Sequence, residues 1–118
     1  MSNKKLLIVD DSKLARMMIR TIVEQNYPEI EIQEAANADE ALVTQQTQTF
    51  EYMTIDFNMP GMNGLELAEQ LKDSHPDAKI YLLTANIQDA IRNKATDLGI
   101  DFIPKPINEE KVTSVFAA

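Results

Sequence analysis

Apolar and polar positions along the chain follow two periodicities that alternate. Short apolar runs, such as KLLIV at 5–9 and KIYLL at 79–83, are typical of strands covered on both faces of a sheet. Longer segments between them carry apolar residues every three to four positions, the spacing of an amphipathic helix. Strands are predicted at 5–9, 30–34, 52–55, 79–83 and 101–103. Helices are predicted at 12–26, 36–46, 64–73 and 87–97, and a final helix is predicted after Asn108.

Residues at the ends of the predicted helices support these boundaries. Ser12, Asn37 and Asn108 have side chains that accept hydrogen bonds from the free amides of a helix N-terminus. Gly99 suits the left-handed conformation that ends many helices. One apolar stripe of the first helix is expected to face the core. Three methionines, two in this helix and one in the third strand, are also expected to be buried. The residues concerned are Leu14, Met18 and Ile22 for the stripe, and Met17, Met18 and Met53 for the methionines. His75, in a loop before Pro76, is expected at the surface.

Five strand–helix repeats predict an α/β fold. Strands connected by helices of this length form a parallel sheet with right-handed crossovers, and the helices then cover both faces of the sheet. The predicted architecture is a doubly wound, three-layer (βα)5 sandwich around five parallel strands. Ligands of such sheets bind outside the carboxyl ends of the strands, where the strand order reverses. The residues that follow each strand are therefore the candidates for function.

Composition narrows the classes of function. A length of 118 residues fits one domain, predicted to span 1–118, and the absence of cysteine excludes disulfides and thiolate metal sites. The net charge of −8 argues against a nucleic-acid partner and suits divalent cations. No apolar run reaches the about 18 residues that a membrane span needs, so a cytoplasmic protein with no membrane partner is expected.

Chemistry-bearing residues follow four of the five predicted strands. Asp10 and Asp11 follow the first strand, Asp56 the third, Thr84 the fourth and Lys105 the fifth. Each alone is typical of a helix cap or a solvated side chain, but together they deliver three carboxylates, a hydroxyl and an ammonium to one edge. Two carboxylate charges about 4 Å apart repel by roughly 4 kcal/mol at an effective dielectric constant of about 20. A hard cation such as Mg²⁺ relieves that repulsion and leaves positions for a phosphoryl group. A carboxylate can itself accept the phosphoryl group, which makes Asp56 the candidate nucleophile.

At this point the motifs match a family. The stretches IVDDS, IDFNMPGMNG, LLTA and FIPKP, which follow or end four strands, resemble the receiver domains of bacterial two-component response regulators of the stand-alone, CheY-like type. The resemblance covers essentially the whole chain and implies the flavodoxin-like strand order 2-1-3-4-5.

The resemblance also implies a role for each matching residue. Asp56 is implied as the phospho-acceptor, with Thr84 and Lys105 as contacts to the phosphoryl group. Thr84 and Phe102 are implied as the switch pair. The resemblance implies four ligands of Mg²⁺ or Mn²⁺: Asp10, Asp11, Asp56 and the backbone carbonyl of Asn58. Ala85 matches a small residue that keeps the pocket open, Asn58 and Asn86 flank the site where dephosphorylation is tuned, and the bond between Lys105 and Pro106 is implied to be cis.

The function that follows is a phosphorylation switch and not an enzyme acting on other molecules. A sensor histidine kinase or a histidine phosphotransfer protein is implied as donor, and a downstream protein, chemotaxis-type output included, as the target of a remodelled α4-β5-α5 face. Mg²⁺-dependent autodephosphorylation is implied too, and the unphosphorylated chain is expected to be monomeric. Lys13, Arg16 and Arg20 form a basic stripe on the first helix that is either a solvated face or a docking surface for the donor.

Three other interpretations compete with this one. A haloacid-dehalogenase-like phosphatase also uses an aspartyl nucleophile, but it needs an acid two residues later, where this chain has Asn58. A flavodoxin-like electron carrier needs a phosphate-binding loop after the first strand, where Asp10 and Asp11 would repel phosphate. A degenerate receiver would serve only as an interaction module, but it would not retain the five site residues.

Overall fold

The computed structural model describes residues 4–85 and 88–116, and there five parallel strands alternate with five α-helices. Asn86, implied above to tune dephosphorylation, lies outside the described residues. The strands are β1 Lys5–Val9, β2 Glu31–Ala35, β3 Tyr52–Asp56, β4 Lys79–Thr84 and β5 Asp101–Pro104. The helices are α1 Lys13–Asn26, α2 Ala38–Thr44, α3 Gly64–Ser74, α4 Asp89–Asp97 and α5 Glu109–Thr113, with a 3₁₀ turn at Ser114–Phe116. Over these residues, no helix has the length and apolar composition of a membrane span.

The sheet has the order β2-β1-β3-β4-β5, which confirms the predicted doubly wound architecture. Val9 at the end of β1 lies beside Ile55, and Asp56 lies beside Leu83, so three neighbouring strands end at one edge. Because the order reverses between β1 and β3, the loops after these two strands diverge and leave a crevice between them. The predicted site residues all follow strands that end at this edge.

Two apolar layers hold the helices on the sheet. One layer lies under α2, α3 and α4, and the other lies under α1 and α5. Strand β3 is buried at every position, as a central strand of a covered sheet must be. Strand β5 lies at the edge of the sheet, where Pro104 is tolerated because the lost amide would have had no partner strand.

Side-chain caps define where the helices begin. Ser12, Asn37 and Asn108 each accept a hydrogen bond from a backbone amide three residues ahead, as predicted. Asn63 adds a capping box with Glu66 at the start of α3. Since a cap precedes its helix, α2 begins at Ala38 and not at the predicted residue 36. Strand β2 likewise lies one residue later than predicted.

The predicted core stripe of α1 is wrong at Leu14 and Met18, whereas its third member, Ile22, is partly buried and packs on the apolar layer under α1 and α5. Leu14 and Met18 are exposed, at 68% and 43%, and Met17 is exposed at 52%. Instead, Ile19 and Val23 are the buried residues of the helix. Both sets have helical spacing, so periodicity alone cannot choose between two adjacent apolar stripes. The choice depends on how the β1–α1 loop rotates the helix on the sheet. Met53, in β3, is fully buried as predicted.

The predicted surface position of His75 is also wrong. The side chain is only 8% exposed, and its ring packs 6.3 Å from the ring of Phe50. Its Nε2 lies 3.3 Å from the backbone oxygen of Gln48, which satisfies the polar ring in this position. His75 is the C-cap of α3, and the turn after the helix folds the ring inward, which a loop assignment could not indicate.

Candidate functional site

Asp56 lies at the carboxyl end of β3 and is held there by a tight turn. The carboxylate residue is only 3% exposed. The amide of Phe57 donates to the Leu83 oxygen at 3.0 Å, and the amide of Gly64 donates to the Phe57 oxygen at 3.0 Å. A Cβ on Gly64 would meet the Asp56 backbone oxygen and lie 2.8 Å from the Phe57 Cα. The start of α3 therefore packs against the Asp56 backbone at a distance that only glycine allows.

Two further carboxylates from the β1–α1 loop join Asp56. One oxygen each from Asp10, Asp11 and Asp56 lie within 4.8 Å of one another. Asp10 is buried and Asp11 is exposed, so the cluster extends from the sheet edge to the solvent. The predicted convergence of the acids after β1 and β3 is therefore present.

The environment of Asp10 disfavours its charge. Burial raises the pKa of its carboxyl, and the charges of Asp56 and Asp11 add to the rise. The Ser12 amide, which donates to Asp10 Oδ1 at 2.9 Å, and the Lys105 ammonium act in the opposite direction without cancelling it. Among the described residues, no group bonds the second oxygen, Oδ2, although it is buried. Asp10 thus has a buried oxygen that is under-compensated by the protein.

Lys105 supplies the positive charge of the site. Its Nζ donates to Asp56 Oδ1 at 2.7 Å. The Asp56 side chain is 4% exposed and that of Lys105 is 31% exposed, so the pair closes the site on one side. The Lys105 amide donates to the Thr84 oxygen at 3.0 Å, which fixes its backbone beside the end of β4. The Lys105–Pro106 peptide bond is cis, as the resemblance implied.

The other predicted residues lie around this pair. Thr84 is 2% exposed at the end of β4 and pairs in register with Pro104. Phe102 is partly buried in β5 and packs on the apolar layer under α2, α3 and α4. Asn58 is exposed in the β3–α3 turn, and Ala85 is exposed immediately after Thr84. The structure therefore places all of them at the same edge or beside it.

Arg16 and Arg20 of the basic stripe on α1 form ion pairs within the protein, so the interpretation as a solvated face is wrong for these two residues. Arg16 donates from Nε to Glu34 Oε1 at 3.0 Å and from an Nη to the backbone oxygen of Asp10 at 2.6 Å. Arg20 donates to the other oxygen of Glu34 at 2.7 Å. Burial alone would raise the pKa of the Glu34 carboxyl, but the two guanidinium groups outweigh it and the net pKa is lowered. Lys13 remains exposed.

Sequence reasoning missed two of these anchoring contacts. Arg16 ties the loop that carries Asp10 to β2, and Lys111 donates to the backbone oxygens of Pro104 and Pro106 on either side of Lys105. The spacing of Arg16 and Arg20 showed that they share a helix face, but not that this face meets Glu34. Nothing in the sequence around Lys111 indicated its carbonyl partners.

The donor set fits a hard divalent cation. Three carboxylates supply oxygen atoms within one coordination sphere's reach of each other, and the buried Oδ2 of Asp10 lacks a protein partner within the described residues. Oxygen ligands of this kind, with water completing the shell, are what Mg²⁺ prefers. Such an ion would offset both the burial and the charge repulsion that raise the pKa of Asp10.

Comparisons with known proteins agree with this geometry. A family model described as the response regulator receiver domain matches residues 6–117. The chemotaxis protein CheY of Listeria monocytogenes is 37% identical over 109 residues, which cover 92% of this chain and 91% of the relative. The chain spans 91% of the length of this relative but only 29% of the length of another, a cyclic di-GMP phosphodiesterase response regulator of Xanthomonas campestris that is 36% identical.

Two solved structures are similar throughout. The chemotaxis protein CheY4 of Vibrio cholerae matches with a TM-score of 0.88 and 26% identity, over 98% of this chain and 97% of that one. A Burkholderia pseudomallei response regulator, solved with a phosphorylated aspartic acid, a calcium ion and citrate, matches with a TM-score of 0.81. It is 31% identical over 95% of this chain and 65% of that one.

Proposed function

The chain belongs to the response regulator receiver domain family, and on that premise we propose that it accepts a phosphoryl group on Asp56 in a Mg²⁺-dependent reaction. Receiver domains of this CheY-like type are signalling switches in two-component systems. The family assignment supports a receiver domain over the phosphatase and electron-carrier interpretations. A complete set of acids, hydroxyl and ammonium also argues against a degenerate receiver.

The observation that carries the proposal is the arrangement of three acids with one ammonium around Asp56. Lys105 engages Oδ1 of Asp56, and the carboxylates of Asp10 and Asp11 lie beside the same group. Without a neutralising cation, the Asp56 carboxylate would be a poor nucleophile for an anionic phosphoryl donor, because the negative charges of the acids and of the donor repel each other. Mg²⁺, when bound by Asp10, Asp11, Asp56 and the Asn58 carbonyl, would supply the neutralising charge. The phosphorylated aspartate and calcium ion of the similar Burkholderia structure support this proposal.

The transfer itself needs positioning more than covalent machinery. An oxygen of the Asp56 carboxylate attacks the phosphorus of the donor and forms an aspartyl phosphate. With a phosphohistidine donor the P–N bond breaks, and the leaving imidazole keeps the electron pair and takes a proton. Lys105 stabilises the charge on the transferred group. Later attack by water on the phosphorus breaks the bond to the Asp56 oxygen, releases inorganic phosphate and returns Asp56 to a free carboxylate, which is the autodephosphorylation step of a switch.

Phosphorylation then changes the contacts of Thr84 and Phe102. The modified side chain carries about −1.5 to −2 charges and strong acceptor oxygens, which attract the Thr84 hydroxyl and the Lys105 ammonium. Phe102 is partly buried against the apolar layer under α2, α3 and α4. Because its neighbours must repack when it moves further inward, this movement would remodel the surface formed by α4, β5 and α5. Moving such an equilibrium from 1:99 to 99:1 takes about 5.5 kcal/mol of differential stabilisation.

A sensor histidine kinase or histidine phosphotransfer protein is the proposed donor. The exposed side chains of Leu14, Met17 and Met18 form an apolar surface on α1, within two turns of Asp11. Large exposed apolar residues that adjoin a site mark a contact for a partner protein, and methionine adapts well to such contacts. This surface replaces the basic stripe as the proposed docking contact, since Arg16 and Arg20 are engaged with Glu34.

A downstream protein that reads the α4-β5-α5 surface is the proposed target. The relatives named as chemotaxis proteins favour a chemotaxis-type output as the specific form of this proposal. The unphosphorylated chain is proposed to be a monomer, with association, if any, following modification.

Intact-mass spectrometry tests the phosphorylation. The chain is incubated with Mg²⁺ and acetyl phosphate, and the expected result is the mass gain of one phosphoryl group. The gain should be lost with a chelator and in Asp56→Asn, which preserves the shape of the side chain but removes the nucleophile. Asp77→Asn, a change at an exposed aspartate, is the matched control and should still be modified. A full mass gain in Asp56→Asn would place the acceptor elsewhere.

A further inference from the structure

Lys111 reaches the loop that carries Lys105 from the neighbouring helix. Its Nζ donates to the backbone oxygens of Pro104 and Pro106, each at 3.0 Å. These two carbonyls lie on either side of Lys105 in the chain. The ammonium of Lys111 therefore holds the backbone on both sides of Lys105, whose own ammonium contacts Asp56 at 2.7 Å.

The backbone of Lys111 is itself fixed at the start of α5. The Lys111 amide donates to the Oδ1 of Asn108 at 2.8 Å, in the first turn of α5. The next residue, Val112, is only 2% exposed and fixes the helix on the apolar layer shared with α1. The Lys111 side chain thus extends from a backbone that the helix cap and the core both hold in place.

The direction of the Pro104 carbonyl explains why a side chain is needed there. The Lys105 amide points toward β4, where it donates to the Thr84 oxygen. In a trans peptide the carbonyl points opposite to the following amide, so the Pro104 oxygen points away from β4. Because β5 is the edge strand of the sheet within residues 4–85 and 88–116, no further strand of that sheet meets this oxygen. A charged donor such as the Lys111 ammonium satisfies it more strongly than a neutral group.

We propose that Lys111 is a positioning residue, which holds the Lys105 backbone so that the Lys105 ammonium faces the phosphoryl group on Asp56. This inference rests on the proposed phosphorylation of Asp56. The Lys105 backbone is held by Thr84 on the sheet side and by Lys111 on the outer side. Charge stabilisation in such a transfer depends on donors that are already in place, so a loosened Lys105 slows the reaction.

The first experiment separates positioning from binding of the donor. Phosphorylation rates of Lys111→Met and the wild type are measured with saturating Mg²⁺ over a range of acetyl phosphate concentrations. We expect the maximal rate of Lys111→Met to fall about three- to tenfold with KM unchanged, the scale of one charged hydrogen bond. Lys111→Arg, which keeps a charged donor, should restore most of the rate.

A matched control exists at the other end of the sheet. Lys72 also donates its ammonium to a backbone carbonyl, that of Ala78 at 2.9 Å, but it does so next to the start of β4. Lys72→Met should keep the wild-type phosphorylation rate even if its melting temperature falls. Should Lys111→Met fail to fold by circular dichroism, Lys111→Gln replaces it, because its side-chain amide keeps a neutral donor that is one atom shorter and weaker, and a fall in the maximal rate is still expected.

A double variant tests whether Lys111 acts through Lys105. If it does, adding Lys111→Met to Lys105→Met causes no further loss of rate. An equal fold-loss in both backgrounds, or a wild-type rate in a folded Lys111→Met variant, would overturn the inference while leaving the proposed function intact. A wild-type chain that gains no phosphoryl group, and so behaves like Asp56→Asn, would instead overturn the proposed function and this inference with it.

Discussion

The ammonium of Lys105 lies 2.7 Å from Oδ1 of Asp56, although the two residues are 49 positions apart in the chain. The contact joins the loop after β5 to the end of β3 across the intervening strand β4. It places a positive charge on one oxygen of the proposed nucleophile. The consequences of removing it can be measured in two ways.

Lys105→Met should slow phosphorylation and strengthen metal binding. Loss of the ammonium removes charge stabilisation from the transferred group, for which we expect at least a tenfold lower maximal rate. The acid cluster also becomes more negative, so the Kd for Mg²⁺ should fall by about three- to tenfold. Phosphorylation kinetics and calorimetric titration with Mg²⁺ measure the two effects, with Lys72→Met as the control. Weaker Mg²⁺ binding in Lys105→Met would contradict this electrostatic account.

Asp10→Asn should stabilise the metal-free protein at neutral pH. Burial raises the pKa of Asp10 above its unfolded value of about 3.9, so the folded state binds more protons between the two values. The free energy of unfolding therefore falls as the pH rises through that interval, starting near pH 4. We expect the variant to lack this fall and to be more stable than the wild type at pH 7, because a neutral amide avoids both the burial of a charge and the repulsion by Asp56 and Asp11.

Urea denaturation in the presence of a chelator, repeated from pH 4 to 8, measures that difference. Asp77→Asn controls for the change in net charge, because Asp77 is exposed in the loop before β4. Addition of Mg²⁺ should reverse the order, since it stabilises the wild type more than a variant lacking one ligand. Parallel stability curves for Asp10→Asn and the wild type would show that Asp10 carries no such penalty.

Gly64→Ala should disturb the turn that carries Asp56. Its Cβ would lie 2.8 Å from the Phe57 Cα and 2.9 Å from the Asp56 carbonyl carbon, and backbone atoms cannot rotate away. We expect a loss of about 2–4 kcal/mol in the free energy of unfolding. Gly61→Ala is the matched control in the same loop: Gly61 has φ of +80° but open space around it, so the loss should be about 1 kcal/mol. Equal losses would show that close packing at Gly64 is not the cause.

Arg16→Met should weaken Mg²⁺ binding although it removes none of the carboxylates proposed to bind the ion. Arg16 ties the Asp10 carbonyl to Glu34, so its loss frees the loop that presents two acids. We expect a three- to tenfold higher Kd for Mg²⁺, about 1 kcal/mol, and a smaller effect for Glu34→Gln. Lys5→Met is the control, because Lys5 pairs with Glu31 between the same two strands at their other end. Unchanged Mg²⁺ affinity in Arg16→Met would show that Arg16 does not position the loop that carries Asp10 and Asp11.

The strand and helix pattern was predictable because it depends on local chemistry. Continuous apolar runs placed β1 without error, and the side chains of Ser12, Asn37 and Asn108 cap helices as predicted. The family motifs carried the strand order, which periodicity does not contain. The convergence of Asp10, Asp11, Asp56 and Lys105 was predictable as well, since the carboxyl ends of parallel strands must share an edge.

Other features required the folded chain. Two apolar stripes on α1 satisfy helical periodicity equally, and only its docking on the sheet decided that Ile19 is buried and Leu14 exposed. His75 became buried through a turn whose direction no residue pattern specifies.

The sequence by itself determined which residues end each strand, and so which chemistry gathers at the site edge. Only the tertiary structure decided which groups hold that chemistry in place, namely Arg16 on the Asp10 carbonyl and Lys111 on the carbonyls beside Lys105. The physical reason is that side-chain to backbone hydrogen bonds of this kind depend on the rotation of a helix and on distances of a few tenths of an ångström. Such quantities are set by packing between elements and not by the order of residues within them.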